Sequence, residues 1–487
     1  MSATYTHRFD TPVYKASSTI HTGLFIGGEW ISPVITEVAC GTKADVDKAV
    51  VAAKKAYKTS WGSKVPGSVR GQLIKKLADL IEKYSNELAA LESLNVGKVF
   101  GVSKTADLGL TLGTFRYYAG WADKIQGSTI EGSEKKIGYV LREPYGVCGQ
   151  IIPWNFPLAM LSWKVAPALA TGNVIVLKPS EITPLTALRF ADLVVEAGFP
   201  PGVVNIVNGY GHTVGQAIAE HPDIAKVAFT GSTITGRKIM KAAAESNLKA
   251  VTLELGGKSP VVVFDDADLE QAVKWASQGI YTNMGQACAA GSRILVQEGI
   301  YDKFLSQFTV SAKALGAATG DPFSDGIQHG PQVSQAQFDR VMSYIDSGKK
   351  EGAQVHIGGG RASDKGYFIQ PTIFTGVTMD MRIAKEEIFG PVVVILKFKT
   401  EEEVVELAND TSYGLAAYVF SENISKALRV ANELEAGTVS VNSTIPVDVA
   451  MPFGGCKQSG IGREMGQYAI DMYTQPKSVH VNLSLRL

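Results

Sequence analysis

Apolar residues in the first quarter of the chain recur at helical spacing. From Asp45 to Tyr57 they fall on one face, and Thr42 is placed to cap the N-terminus. Leu73, Leu77, Leu80, Ile81, Tyr84, Leu88 and Leu91 carry the same period from Arg70 to Leu94. A third helical stretch is predicted over about Ser103 to Ala122. Ahead of these helices, residues 1–40 read as irregular apart from a short strand-like Leu24–Trp30. Between Gly127 and Tyr145 the period drops to two. Thr129–Gly132 and Ile137–Arg142 read as strands joined by a polar turn. Such a hairpin has little core of its own and is expected to pack on another surface.

From Val147 the rhythm is strand, helix, strand. Short apolar runs at Val147–Ile152, Asn173–Lys178, Val203–Val207, Lys226–Thr230 and Ala250–Leu255 alternate with helical segments. That alternation predicts an α/β fold with a doubly wound parallel sheet. Ligands of such sheets bind beyond the carboxyl ends of the strands, where Lys178, Thr230 and Glu254 fall. After Gly256 and Gly257 a second α/β unit opens with Pro260–Phe264 and runs to about residue 441. Pro446 to Gly462 is a loop rich in Gly and Pro. The last stretch, from Ser478, alternates apolar and polar like an edge strand, and an open edge invites pairing with another chain.

A length of 487 residues predicts two or three domains. Lys plus Arg (47) balances Asp plus Glu (47), which gives no electrostatic reason to expect nucleic acid or an anionic membrane as partner. No run of about 18 apolar residues suggests a membrane span, and Met1–Ser18 resembles no export or organelle signal. Cys40, Cys148, Cys288 and Cys456 lie far apart, without CxxC or His-rich spacing. That argues against a disulfide framework or a zinc site and for a reducing, cytoplasmic setting.

Against this background one thiol stands out. Cys288 sits among Gly285, Ala287, Ala289, Ala290 and Gly291, whose lack of bulk leaves space for another molecule. A thiol is the most nucleophilic side chain near neutral pH once its thiolate is favoured; the bland alternative is a small buried hydrophobe. Glu254 lies in an apolar strand. Burial would raise its pKa toward what a general base near neutrality needs, whereas an edge position would leave it solvated. Asn155, in the stiff turn Pro153-Trp-Asn-Phe-Pro157, could donate to an oxyanion or satisfy its own turn. Phe229-Thr-Gly-Ser-Thr-Ile-Thr-Gly236 follows a strand and opens a helix, so its N–H groups could hold phosphate or only cap that helix. Gly209–Gly215 is a near miss of the dinucleotide fingerprint. Lys178 and Glu181 could hold ribose hydroxyls or form a surface pair.

Together with Leu253-Glu-Leu-Gly-Gly-Lys258, Gly285-Gln-Ala-Cys288, Glu387-Ile-Phe-Gly-Pro391 and Pro452-Phe-Gly-Gly-Cys-Lys-Gln-Ser-Gly460, these segments resemble the aldehyde dehydrogenase superfamily, from about Leu24 to the C-terminus. The resemblance is greatest to its general NAD-dependent members. It implies an NAD-binding domain (1–124 and 147–256), a catalytic domain (257–470) and a small β oligomerisation arm (125–146 and 471–487). It implies Cys288 as nucleophile, Asn155 with the Cys288 N–H as oxyanion site, and Glu254 as activator of the deacylating water. For NAD it implies Ile151, Ile152, Pro153, Trp154, Lys178, Glu181, Gly211, Phe229, Thr230, Gly231, Ser232, Thr233, Gly236, Leu255, Glu387 and Phe389. Leu110, Phe156, Trp163, Val447 and Phe453 would line the aldehyde tunnel. A homo-oligomer, a dimer of dimers, is expected. Two departures from the family pattern are a shortened connection between Trp30 and Asp45, and Val447 where relatives often carry a second aromatic. A relative that acylates coenzyme A and a fold retained for a structural role are the rival readings; Glu254 and the intact Cys288 and Asn155 argue against them.

Overall fold

The structure is a computed structural model that describes residues 4–31, 38–484 and 486. Residues 32–37 of the shortened connection after Trp30 lie outside the described residues.

The apolar runs after Val147 form the centre of an eight-stranded sheet. Its parallel strands stand in the order Ala250–Glu254, Lys226–Thr230, Val147–Ile151, Val174–Lys178, Val204–Ile206. The chain thus starts in the middle, winds one way, then returns and winds the other. The strand order reverses between Val147–Ile151 and Lys226–Thr230, which leaves a crevice beyond Ile151 and Thr230. Helix Pro157–Thr171, buried along its whole length, covers this sheet. At one edge the short strand Gly460–Ile461 pairs antiparallel with Ala250–Glu254, so Glu254 is not at an edge.

The second sheet has seven strands and begins at Pro260–Val263, as expected. Parallel neighbours flank Pro260–Val263 and Arg293–Gln297, and the helix Gln335–Lys350 lies on this half of the molecule. The predicted hairpin is present as Ser128–Ser133 and Lys136–Pro144.

Three expectations need correction. Residues 1–40 are not irregular: Thr4–Asp10 and Lys15–His21 form an antiparallel hairpin. In it Phe9, Ser18 and Ile20 are the fully buried residues, too few to stand out as a period-two pattern. The hairpin is held by tertiary contact, with the Phe9 ring 5.3 Å from Tyr14 and 5.8 Å from Phe323. The long helix over Arg70–Leu94 is two helices, Gly67–Lys83 and Ser85–Val96, broken at Tyr84. There the Arg189 guanidinium lies 4.8 Å from the Tyr84 ring and pairs with Glu87, so a neighbouring helix sets a bend that the apolar period conceals. Lastly, the terminal strand has a partner on one edge within the chain. Thr474–Asn482 pairs antiparallel with Lys136–Pro144, completing a three-stranded sheet.

Candidate active site

Cys288 follows a backbone segment with an unusual conformation. Asn283, Met284 and Gly285 have φ of 52°, 56° and 72°, all left-handed. Two non-glycine residues in that region are strained, and strain of this kind persists only where surrounding contacts enforce it. Here the contacts are explicit. Asn283 Nδ2 donates to Asn155 O (2.9 Å) and Gln286 O (3.1 Å), and Asn155 Nδ2 donates to the same Gln286 O at 3.0 Å. Gln286 Nε2 returns a bond to Asn283 O at 3.1 Å. Gly285 is required: a Cβ there would stand 2.0 Å from Gly390 O. Two loops distant in sequence are thereby locked together, with Cys288 and Asn155 on the same wall.

That wall belongs to a cavity of about 390 Å³ at the carboxyl ends of the strands of the first sheet. It collects Leu110, Pro153, Trp154, Asn155, Phe156, Trp163, Thr230, Gly231, Ser232, Leu255, Cys288, Glu387, Phe389, Val447 and Phe453. Its lining is mostly apolar beside Cys288. Trp163 meets Phe453 edge-on with ring centres 5.1 Å apart. Toward the second sheet, Phe389 meets Trp154 edge-on at 5.2 Å, and Glu387 Oε1 accepts the Gly257 N–H at 3.0 Å. Gly256 makes room for Glu387, since a Cβ there would be 2.5 Å from Glu387 Oε2. Burial pushes the Glu387 carboxyl up to about 7.

The other residues singled out from the sequence lie outside the cavity lining. Ile151, Ile152 and Phe229 are buried under the strand ends. Ser232, itself part of the lining, also caps the helix Thr233–Ser246, its Oγ accepting the Thr235 N–H at 3.4 Å. Gly236 allows close packing of that helix: a Cβ would meet Leu255 Cδ2 at 2.7 Å. Thr233 is half-buried in the helix's first turn. Lys178 Nζ, almost fully buried, donates to the half-exposed Glu181 Oε2 at 2.9 Å. Gly211 opens the π-helical turn Gly211–Gly215 and is exposed. The turn's far end, Gly215, is the part near Lys178, 3.8 Å from its Cδ to a Cβ built there.

Glu254 is buried, as expected for a central strand. Its Oε2 has no hydrogen-bond partner, and its Oε1 occupies space left by Gly454. Burial and the nearby Glu464 carboxylate raise its pKa well above the ordinary range, against the opposing pull of Lys164 and Arg463. Burial also pushes the Cys288 thiol up to about 12, helped by Glu387 and Glu254. Cys288 in the cavity lining and Glu254 behind it are therefore both held toward their neutral forms.

Sequence reasoning missed several groups at this site. Lys164 Nζ is fully buried and donates to Thr230 Oγ1 and Glu464 Oε1, each at 2.6 Å. A lone lysine inside the apolar run Pro157–Thr171 was a signal that could have found it. Gln337 and Arg340 also line the cavity; Gln337 Nε2 donates to Phe389 O at 2.7 Å. They sit on an amphipathic helix whose polar face reads as solvated, so no local signal marks them.

The comparisons with known proteins agree with this geometry. The family described as "Aldehyde dehydrogenase family" matches residues 30–479. An aldehyde dehydrogenase of Agaricus bisporus is 59% identical, with 100% of each chain covered. Another, from Emericella nidulans, is 55% identical over 97% of each chain. Among solved structures, the NAD+ complex of the Bacillus cereus aldehyde dehydrogenase superposes with a TM-score of 0.92 at 50% identity, covering 95% of this chain and 96% of that one. A protein with two large, mainly parallel sheets and a cysteine in the cavity at the strand ends is thus placed in a class of oxidoreductases. The chain belongs to the aldehyde dehydrogenase family.

Proposed function

We propose that this protein oxidises aldehydes to carboxylic acids with NAD, through a thiohemiacetal and then a thioester on Cys288, the thioester being hydrolysed by water that Glu254 activates. One observation carries the reading: Cys288 and Asn155 share a wall of the cavity at the strand-order reversal, with the buried Glu254 close enough to act on the thiol electrostatically. The residues suit the cofactor. The N-terminus of the helix Thr233–Ser246 opens on Gly231 and Ser232 beside the cavity, an arrangement that favours a pyrophosphate. Lys178 and Glu181 would hold the adenosine ribose, Glu387 the nicotinamide ribose, and Phe389 and Trp154 the ring. When bound, NAD supplies the acceptor for the hydride that the substrate carbon loses.

The protein's own part is positioning and proton handling. Cys288, its thiol proton having passed to solvent, attacks the aldehyde carbon through Sγ as the thiolate. The oxygen that gains charge meets the Cys288 N–H and the amide of Asn155, whose second proton is left when the first is donated to Gln286 O. Glu254 then takes a proton from the attacking water. Reaching that water requires a rotamer change, because the carboxylate sits behind the cavity wall beside Gly454. In this reading the first sheet serves the cofactor, the second completes the catalytic wall, and the three-stranded sheet assembles a homo-oligomer. A cytoplasmic, reducing setting keeps Cys288 free.

Stopped-flow absorbance tests the two halves separately. Glu254→Gln should give a burst of NADH close to one per active site, followed by turnover slowed about 10²–10⁴-fold. Cys288→Ala should give neither burst nor turnover while still binding NAD. Normal turnover in Glu254→Gln would move the base to another residue.

A further inference from the structure

Beneath the cavity wall lies a group of buried charges that the proposed reaction does not use. Glu92 on the helix Ser85–Val96, Lys98 just beyond it, and Asp107 at the end of the π-helical turn Ser103–Asp107 are 0%, 1% and 2% exposed. Lys98 Nζ stands 2.6 Å from Asp107 Oδ2 and 4.1 Å from the centre of the Phe156 ring. Glu92 Oε1 accepts the Leu158 N–H at 3.2 Å, in the first turn of the helix Pro157–Thr171; its Oε2 has no hydrogen-bond partner.

Each member of this trio is attached to a different piece of the cavity lining. Ala106 and Leu110 flank Asp107. Phe156 rests on Lys98. Ala159, Met160 and Trp163 follow Leu158 along its helix. Burying an ion pair costs desolvation energy that an apolar substitute of equal volume would avoid, so its presence points to a role in arrangement rather than stability. A desolvated cation over an aromatic face is also at the strong end of such contacts, and it restrains the ring's orientation as no aliphatic neighbour would.

We propose that Lys98 is a positioning residue for the substrate: its ammonium, anchored by Asp107, pins the Phe156 ring as a fixed wall of the aldehyde passage and so sets the bore available to bulky apolar aldehydes. The proposal rests on the reading of the cavity as that passage.

The test uses full-length protein with saturating NAD, and compares acetaldehyde with benzaldehyde. Lys98→Met leaves Asp107 without its cation, so Lys98→Met/Asp107→Asn is made alongside it to remove the pair together. Thermal denaturation reports folding. The double variant is expected to raise KM for benzaldehyde about 10-fold, with KM for acetaldehyde, KM for NAD and kcat within about 2-fold. Lys98→Arg, which keeps the cation, should restore most of the benzaldehyde KM. Phe156→Leu should raise the same KM, and adding the Lys98 and Asp107 changes to it should raise it no further. Additive effects, or equal losses for both aldehydes together with a lower Tm, would overturn the role of Lys98 while leaving the passage in place. An unchanged benzaldehyde KM in Phe156→Leu would overturn the passage itself, and the proposal with it.

Discussion

Cys288 and Glu254 are each held in the protonated form by burial, and this shapes the reaction's pH dependence. An acid whose pKa is raised in the folded protein is neutral at low pH and becomes a base only as pH rises. The step that needs Glu254 as base should therefore speed up with rising pH, over a range well above that of an ordinary carboxylate. Steady-state kcat of the wild type is expected to climb with pH until Glu254 is ionised. Glu254→Gln should lack that limb; a variant profile that keeps it would assign the limb to another group. The same shift bears on stability with the opposite sense: ionising Glu254 in the folded state is disfavoured, so its contribution falls as pH rises above the carboxylate's ordinary pKa. Cofactor choice also belongs to single residues. Glu181 pairs with Lys178 at the edge of the cleft, where a 2′-phosphate would meet its carboxylate. NAD should be favoured over NADP in kcat/KM, and equal values would remove Glu181 from the ribose site.

At the scale of elements, the segment that carries Cys288 is held by contacts rather than by its own preference. Asn283 and Met284 take left-handed backbone, which asparagine tolerates and methionine disfavours, and Gly285 packs against the backbone of Gly390. Gly285→Ala adds a Cβ where there is no room, at a φ that alanine resists. It should cost about 1–3 kcal/mol in stability. It should also lower kcat/KM by about 10²-fold, since a shift of about 1 Å in Cys288 or Asn155 is enough for that. Chemical denaturation and initial rates measure the two effects; a variant with native kinetics would mean that the turn does not place the thiol. The helix Pro157–Thr171 shows the same dependence. Its burial leaves Lys164 no water, so the cation is satisfied by Thr230 and Glu464, from a strand of the first sheet and a loop near the end of the chain.

For the whole molecule, the assembly proposed above would turn on the three-stranded sheet. Ser128–Ser133 is exposed along its length, and Ile130, Ile137, Leu141 and Leu483 show apolar surface there. Thr474–Asn482 uses one edge to pair with Lys136–Pro144, and its other edge has no strand beside it among the described residues. A two-stranded hairpin without that third strand is marginal in water. Truncation after Pro476 should weaken the sheet and lower the mass found by light scattering, while leaving intact the cavity, whose lining takes no residue from that sheet. An unchanged mass would place the interface elsewhere.

The parallel sheets were legible in the order of residues because short, wholly apolar runs alternate with helical ones, and burial on both faces leaves no other pattern. Cys288 was legible for a local reason too: small neighbours around a thiol can be seen without knowing the fold. Glu254 needed only the apolar strand around it to suggest burial, but the strand Gly460–Ile461 that keeps it off an edge comes from some 200 residues later. Periodicity could not show the break at Tyr84, because the apolar face continues across it and the bend is set by Arg189. The N-terminal hairpin escaped notice because its few buried residues find their partners far along the chain. The same holds for Gln337, Arg340 and the Lys98–Phe156 contact. Composition and period describe which face of an element is apolar. Which two faces meet, and which charge is left between them, is decided only when the whole chain is packed.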